Sequence, residues 1–488
     1  LIKEAKEMNL TQAQKEKLNA ELDRWVESHR EEYIKDVSDL CRIRSVSEEP
    51  VGDKPFGEGC YEMLMASFKL AESYGFRTKN YDNYCGSAIY GDNPNGDSIG
   101  IIAHMDIVPE GNGWTHDPFE PTLSEDGKYL FGRGTADDKA PAMVGLYAMR
   151  FLKEHGIKLK NDIMLVFGLN EEKGSADMPE FLKREKAPKW SLVPDSKFPV
   201  GHAEIGFIRA KFAIPDLGDE LVEIHGGEAT NSVPDRAYAV VSGCTVEEVR
   251  GKLGNMERIT VEEDARGVRF LATGNSQHAS RPAGAVNANN VLAQALLKAQ
   301  VLHGKTLAAI ELFEKLTSHY YGEDLGITCE DEMSGKLTCV FTWVRNEGGK
   351  LILKPDIRYP VTADQKFLMD TLPQTAEKLG LEILDLSNNP AFSFPLDHPV
   401  VEKLIEVPRE VLGMPDIPPI VLAGGTYARS LPNAVSFGVT VPDRVRLFGF
   451  EKGGAHQADE YGDIPNLMRS IKVYVRTLIE IDDIVAAL

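Results

Sequence analysis

Three short apolar runs that stop abruptly at charged or polar residues limit the fold more than any other feature. Ile99-Gly-Ile-Ile-Ala103 ends at His104, and Ile163-Met-Leu-Val-Phe167 runs into Asn170-Glu171-Glu172. A weaker case, Ser191-Leu-Val-Pro194, ends at Asp195. Apolar runs of this length, bounded by turn signals, suit strands buried on both faces of a sheet. Between the first two, residues 138–154 carry Met143, Leu146, Tyr147, Met149, Phe151 and Leu152, then reach His155-Gly156, a helix C-terminus. Strand, helix, strand in that order predicts a crossover unit. Ahead of it, Leu18, Leu22, Trp25, His29, Tyr33, Val37 and Leu40 form one helical stripe, with Thr11 and Gln14 as its capping box.

Past residue 206 the texture changes. Segments 222–228, 267–273, 336–344 and 350–357 alternate apolar and polar residues, as in sheets with one wet face. Helical stretches at 287–302 and 363–379 lie between them. After Pro390, short apolar strands return at 420–422, 435–441 and 446–450, followed by a helix from Pro465. The expected organisation is a catalytic α/β domain with a mostly parallel sheet flanked by helices, formed by 1–206 and 391–488. An α+β lid domain, 207–390, is inserted into it.

The 488 residues include 54 basic and 75 acidic side chains, a net charge of −21. That balance excludes a basic stripe for nucleic acid and disfavours an anionic membrane face. No apolar run is long enough for a membrane span, and the first residues have no signal-peptide core. The chain begins at Leu1, so its natural start is Met8 or lies upstream. Six cysteines scattered without a C-x-x-C pair argue for a reducing cytoplasm, with the thiols as packing residues.

The informative acids stand just past strand ends, where open α/β sheets build their sites. They are His104-Met-Asp106, Asp137-Asp138 before a helix, Glu171-Glu172, Asp195 and, near the end, Gly453-Gly-Ala-His456. Each piece alone has a bland reading. Glu-Glu suits a solvated face, Asp-Asp before a helix is a cap, and Gly-Gly-x-His is a turn. Together and in order they form a cation site. Two histidines with one carboxylate from each of the four acidic passages exceed one tetrahedral ion and suit two metals sharing a carboxylate.

In the passages HMDIVPEGNGW, FGRGTADDKAP, NEEKGSADM, LVPD, NSVPDRA, GNSQHASRP, DIRYP, GGTYAR and GGAH, the chain resembles the M20 zinc peptidases, and among them the bacterial dipeptidases. The resemblance implies two zinc ions per chain, with manganese or cobalt as substitutes. His104 and Asp195 would hold one ion, Glu172 and His456 the other, and Asp137 both. Asp106 would orient His104, and Glu171 would be the general base. In the lid, His278 would stabilise the oxyanion. Arg358 would grip the substrate carboxylate, with Asn231 and the backbone at Gly424-Gly425-Thr426 completing that pocket. Two positions depart from the family pattern: Ala140 follows Asp-Asp-Lys, and Ala423 precedes Gly424.

The resemblance also narrows the reaction. Within the family, Asp at position 195 goes with action on free N-termini, and Glu with carboxypeptidases and deacylases. The expectation is a metal-dependent dipeptidase acting on small peptides, working as a monomer, with a homodimer as the other arrangement. The alternatives are an N-acyl amino acid deacylase on the same metals, and a non-catalytic peptide- or metal-binding relative.

Overall fold

A computed structural model of the chain describes residues 10–449 and 452–488. The chain divides into two compact units, Leu1–Ala203 with Ser393–Leu488, and Glu204–Phe392. The second is therefore an insertion in the first.

In the first unit the strands lie in the order Arg77–Tyr81, Cys85–Tyr90, Asp162–Gly168, Ser98–His104, Trp190–Val193 and Ala434–Ser436. The last four run parallel, and the first two add an antiparallel hairpin at one edge. Every residue of Ser98–His104 and Asp162–Gly168 is buried, as parallel strands covered on both faces require. The crossover helix is Lys139–Glu154, which starts after Asp138 and packs against Ile464–Ala486 and Ser98–His104, while the Asp138 carboxylate accepts the His104 N–H at 3.1 Å instead of capping the helix. Gly145 permits that approach, since a Cβ there would lie 3.0 Å from Ile101 Cγ2.

Three details differ from the sequence reading. The N-terminal stripe is two helices, Gln12–Ser28 and Arg30–Cys41, which break at His29. There the imidazole Nδ1 lies 2.7 Å from the Trp25 carbonyl and competes with the backbone ladder. The capping box of Thr11 and Gln14 is present. The run at 435–441 is two strands, Ala434–Ser436 and Val439–Thr440, separated by Gly438 at φ 69°. Residues 447–449 form a turn instead of a strand, and Phe450 lies outside the described residues.

The second unit is an eight-stranded antiparallel sheet in the order Ile259–Asp264, Gly267–Thr273, Arg236–Val241, Leu221–Gly226, Thr338–Glu347, Lys350–Tyr359, Gly206–Ile214 and Glu382–Asn389. Val268, Phe270 and Ala272 alternate inward along one strand and meet Leu292 and Leu296 of the helix Ala288–Ala299 in a common core.

Among the described residues no helix is long and apolar enough to cross a membrane. All six cysteines are free: Cys41, Cys60, Cys85 and Cys339 are buried, and Cys244 and Cys329 are half-buried. Burial pushes the Cys41 thiol up to about 12 and raises those of Cys60, Cys85 and Cys339 as well. Iodoacetamide at pH 8 is therefore expected to modify only Cys244 and Cys329 in the native protein, and all six after denaturation. Peptide-mapping mass spectrometry checks this; native labelling of Cys41 or Cys60 contradicts the packing described.

Candidate metal centre

The neighbouring parallel strands deliver the candidate ligands from their C-terminal ends. His104 is the last residue of Ser98–His104, and Glu171 and Glu172 open the 3-10 turn Glu171–Lys173 that follows Asp162–Gly168. Asp195 stands two residues past Trp190–Val193, and Asp137 stands two residues before the crossover helix. His456 arrives from a C-terminal loop, with a left-handed φ of 65°.

These side chains converge. Asp137 Oδ1 lies 3.0 Å from His104 Nε2, and its Oδ2 lies 3.0 Å from His456 Nε2. Glu172 Oε1 is 2.9 Å from His456 Nε2. Ligand atoms of His104, Glu171 and Asp195 all lie within 4.8 Å of one another, and so do those of His104, Asp137 and Glu172.

Crowding these groups perturbs them strongly. Burial, then the charge of Asp137, pushes the Asp195 carboxyl up to about 7. Burial also raises Glu171; the His104 charge opposes this, and the acidic neighbours Asp195, Glu172 and Asp106 reinforce it. Burial would raise Asp137 too, but hydrogen bonds from His104 and His456 hold it well below the carboxylate range. Burial opposes charging of His456, yet its bonds to Asp137 and Glu172 carry it up to about 11. The cluster therefore draws in positive charge. Its nitrogen and oxygen donors fit divalent cations that accept imidazole and carboxylate.

Asp106 is fully buried, and its two carboxylate oxygens accept the N–H groups of Glu171 at 3.1 Å and Glu172 at 3.2 Å. His104 Nδ1 lies 2.9 Å from the Asp106 main-chain carbonyl and 3.5 Å from its Oδ1. A carbonyl only accepts, so Nδ1 carries a proton, and Nε2, which meets Asp137, is the nitrogen that would face a metal.

Other supports escaped the sequence reading. Glu460, fully buried, receives three main-chain N–H groups on Oε1: Gly134 at 3.0 Å, Ala136 at 2.9 Å and Asp137 at 3.2 Å. Its Oε2 pairs with buried Arg133. One carboxylate thus ties the Asp137 loop to the chain four residues beyond His456. Asp177, also buried, accepts from Leu169 N at 2.7 Å, Asn170 N at 3.2 Å and the Tyr427 hydroxyl, which fixes the turn ahead of Glu171. An acid after another acid, or at the start of a helix, looks like surface charge; only the loop spacing to His456 hinted at Glu460.

Thr426 is buried and caps the turn Tyr427–Ser430, placing the Tyr427 ring edge-on to His104 at 6.3 Å. Gly424 offers its carbonyl to Arg429 at 3.1 Å, and a Cβ on Gly425 would come within 2.5 Å of the same guanidinium. Within the second unit, Ala279 N donates to the Asn231 carbonyl at 2.9 Å, and Ser232 bridges His278. Burial, then the Arg358 charge, lowers the His278 pKa, so the imidazole is neutral near pH 7. Ser280 N–H donates to its Nδ1 at 3.2 Å, which puts the ring proton on Nε2. Arg358 is clamped by Asp356 at 2.7 and 3.0 Å. His116 stacks on Phe131, His225 on Tyr238 and His398 on Trp190, while His202 contacts the Phe394 carbonyl.

Replacing Glu460 tests the support of Asp137. Glu460→Gln removes the buried pair with Arg133 and is expected to cost about 3 kcal/mol of stability. It should also weaken metal retention. Thermal denaturation with and without added zinc checks both; an unchanged melting temperature contradicts the role.

Residues 100–480 match the family described as Peptidase family M20/M25/M40. A Bacillus subtilis (strain 168) protein named "Putative dipeptidase YtjP" is 34% identical, across 93% of this chain and 97% of its own length. The Beta-Ala-Xaa dipeptidase of Lactobacillus delbrueckii subsp. lactis is 30% identical over the same shares. Among solved structures, the di-peptidase Dug1p of Saccharomyces cerevisiae shares the fold at a TM-score of 0.58 and 13% identity, covering 95% of this chain and 98% of that one. With a family match over residues 100–480, most of the chain, and a relative 34% identical across 93% of it, the protein belongs to peptidase family M20/M25/M40.

Proposed function

We propose that this chain is a dipeptidase that uses two zinc ions to hydrolyse dipeptides with a free N-terminus. The observation that carries the reading is Asp137, whose two oxygens each lie 3.0 Å from a different imidazole. One cation would need only one of those oxygens; a pair takes a shared carboxylate. In this reading His104 and Asp195 would hold one ion and Glu172 and His456 the other, with Asp137 serving both. When bound, the ions lower the pKa of a water towards neutrality and polarise the scissile carbonyl.

The remaining steps fall to the chain's own groups. Glu171, with its proton affinity raised, takes a proton from the attacking water and passes it to the leaving amine. Its main-chain N–H is pinned by Asp106, so the carboxylate stays aimed. Neutral His278 has Nε2–H to donate to the oxyanion, and Arg358, its plane set by Asp356, suits the substrate carboxylate. In this reading Asn231 joins Arg358 in binding the substrate carboxylate, and the Gly424-Gly425-Thr426 backbone is a substrate-binding segment of the first unit.

The dipeptidase names of the two bacterial relatives support the substrate class. Free cysteines support a cytoplasmic location, and the reading takes the single chain as the working unit.

A panel of dipeptides, tripeptides and N-acetyl amino acids, with chelation and metal add-back, tests the proposal. Free dipeptides should be cleaved fastest, with activity lost on chelation and restored by zinc. Faster cleavage of N-acetyl amino acids would make the protein a deacylase. In addition, Glu171→Ala should retain its metals and lose at least about 100-fold in kcat; full turnover would remove Glu171 from its role.

A further inference from the structure

One cavity of about 200 Å³ in the first unit runs against the charge of the whole chain. Lys197, Arg444, Arg446 and Lys452 line it, and among the described residues no acid does, in a protein of net charge −21. The site is built by parallel pairing of Ser196–Lys197 with Val439–Thr440. Lys197 follows Asp195 by two residues, while Arg444 and Arg446 follow the second strand. On the other wall, Gly453-Gly454-Ala455 leads directly into His456. Successive Cα atoms lie about 3.8 Å apart, so the cavity begins one residue from one candidate ligand and two from another.

Its cations are differently held. Arg444 sits over the Tyr461 ring at 4.4 Å and donates Nη2 to the Tyr461 carbonyl at 3.0 Å, while its Nε is buried with no hydrogen-bond partner. Lys452 is partly neutralised, by the Gly113 carbonyl at 2.9 Å and Asp459 at 3.3 Å. The exposed Lys197 ammonium makes no hydrogen bond or ion pair with another side chain among the described residues. The lining therefore offers a buried N–H lacking an acceptor and a lysine lacking a counter-charge.

We infer that this cavity is a subsite for an anionic side chain, so that the enzyme favours dipeptides containing aspartate or glutamate. The inference rests on the dipeptidase reading above and names the substrates within it. Guanidinium and ammonium donors match a carboxylate, and the volume admits a short acidic side chain with water. The net negative charge repels an acidic dipeptide at a distance. Screening limits that repulsion to about 8 Å at physiological salt, and inside that range the basic lining of the cavity opposes it.

The test compares kcat/KM for Ala-Asp against Ala-Asn and for Asp-Ala against Asn-Ala, with Ala-Ala as the neutral reference. It uses the zinc-loaded protein and the exposed-site variant Lys197→Gln/Arg446→Gln. In the wild type the acidic member of at least one pair should be preferred by about tenfold, and the preference should shrink as NaCl is raised. In the variant the ratio should fall to about one, with Ala-Ala turnover unchanged. Hydrolysis of Ala-Ala without acidic preference in either pair overturns the subsite and leaves the dipeptidase reading standing. The same holds for a preference that survives in the variant. Failure of the zinc-loaded wild type to cleave Ala-Ala overturns the dipeptidase reading itself.

Discussion

Like charge packed at the ends of parallel strands governs the first unit. Glu171 and Asp195 on one side of His104, and Asp137 and Glu172 on the other, offer oxygens within 4.8 Å of the imidazole nitrogen, with Asp106 and Asp137 buried and the other three half-buried. Carboxylates in that position repel each other and lose solvation, and both effects raise the cost of staying ionised. His104 and His456 offset part of this by binding opposite oxygens of Asp137. Cations offset more, and so the arrangement is stable chiefly as a holder of metal.

The surrounding fold serves to keep that repulsion from scattering the ligands. The sheet fixes His104, the Glu171 turn and Asp195 through shared hydrogen bonding of neighbouring strands. Asp106 and Glu460 then use their own carboxylates to gather main-chain N–H groups, one under the Glu171 turn and the other under the Asp137 loop. Asp177 does the same under Leu169 and Asn170. Three acids that bind no metal in this reading thus set the backbone of the acids that do.

Much of this was readable from residues 99–195, where apolar runs alternate with an amphipathic helix. Period and length there decide strand from helix without competition, and the candidate ligands sit at the breaks. The supports were harder. Glu460 and Asp177 have no pattern of their own, because their role depends on which loop they meet in space. The break at His29 was hidden since both helices continue one apolar stripe. The segment at 446–450 looks like a strand because Leu447 and Phe448 make a short apolar run, but residues 447–449 form a turn. The charge balance was also a poor guide locally: an acidic chain can still place four cations around one cavity.

The central claim is that Asp137 joins two cations held by this one chain. The most direct measurement is metal stoichiometry by inductively coupled plasma mass spectrometry on zinc-loaded, desalted protein, for the wild type and for Asp137→Asn. The account predicts two zinc ions per chain in the wild type and a marked loss of both in the variant. One ion per chain in the wild type, or two retained by Asp137→Asn, would contradict it.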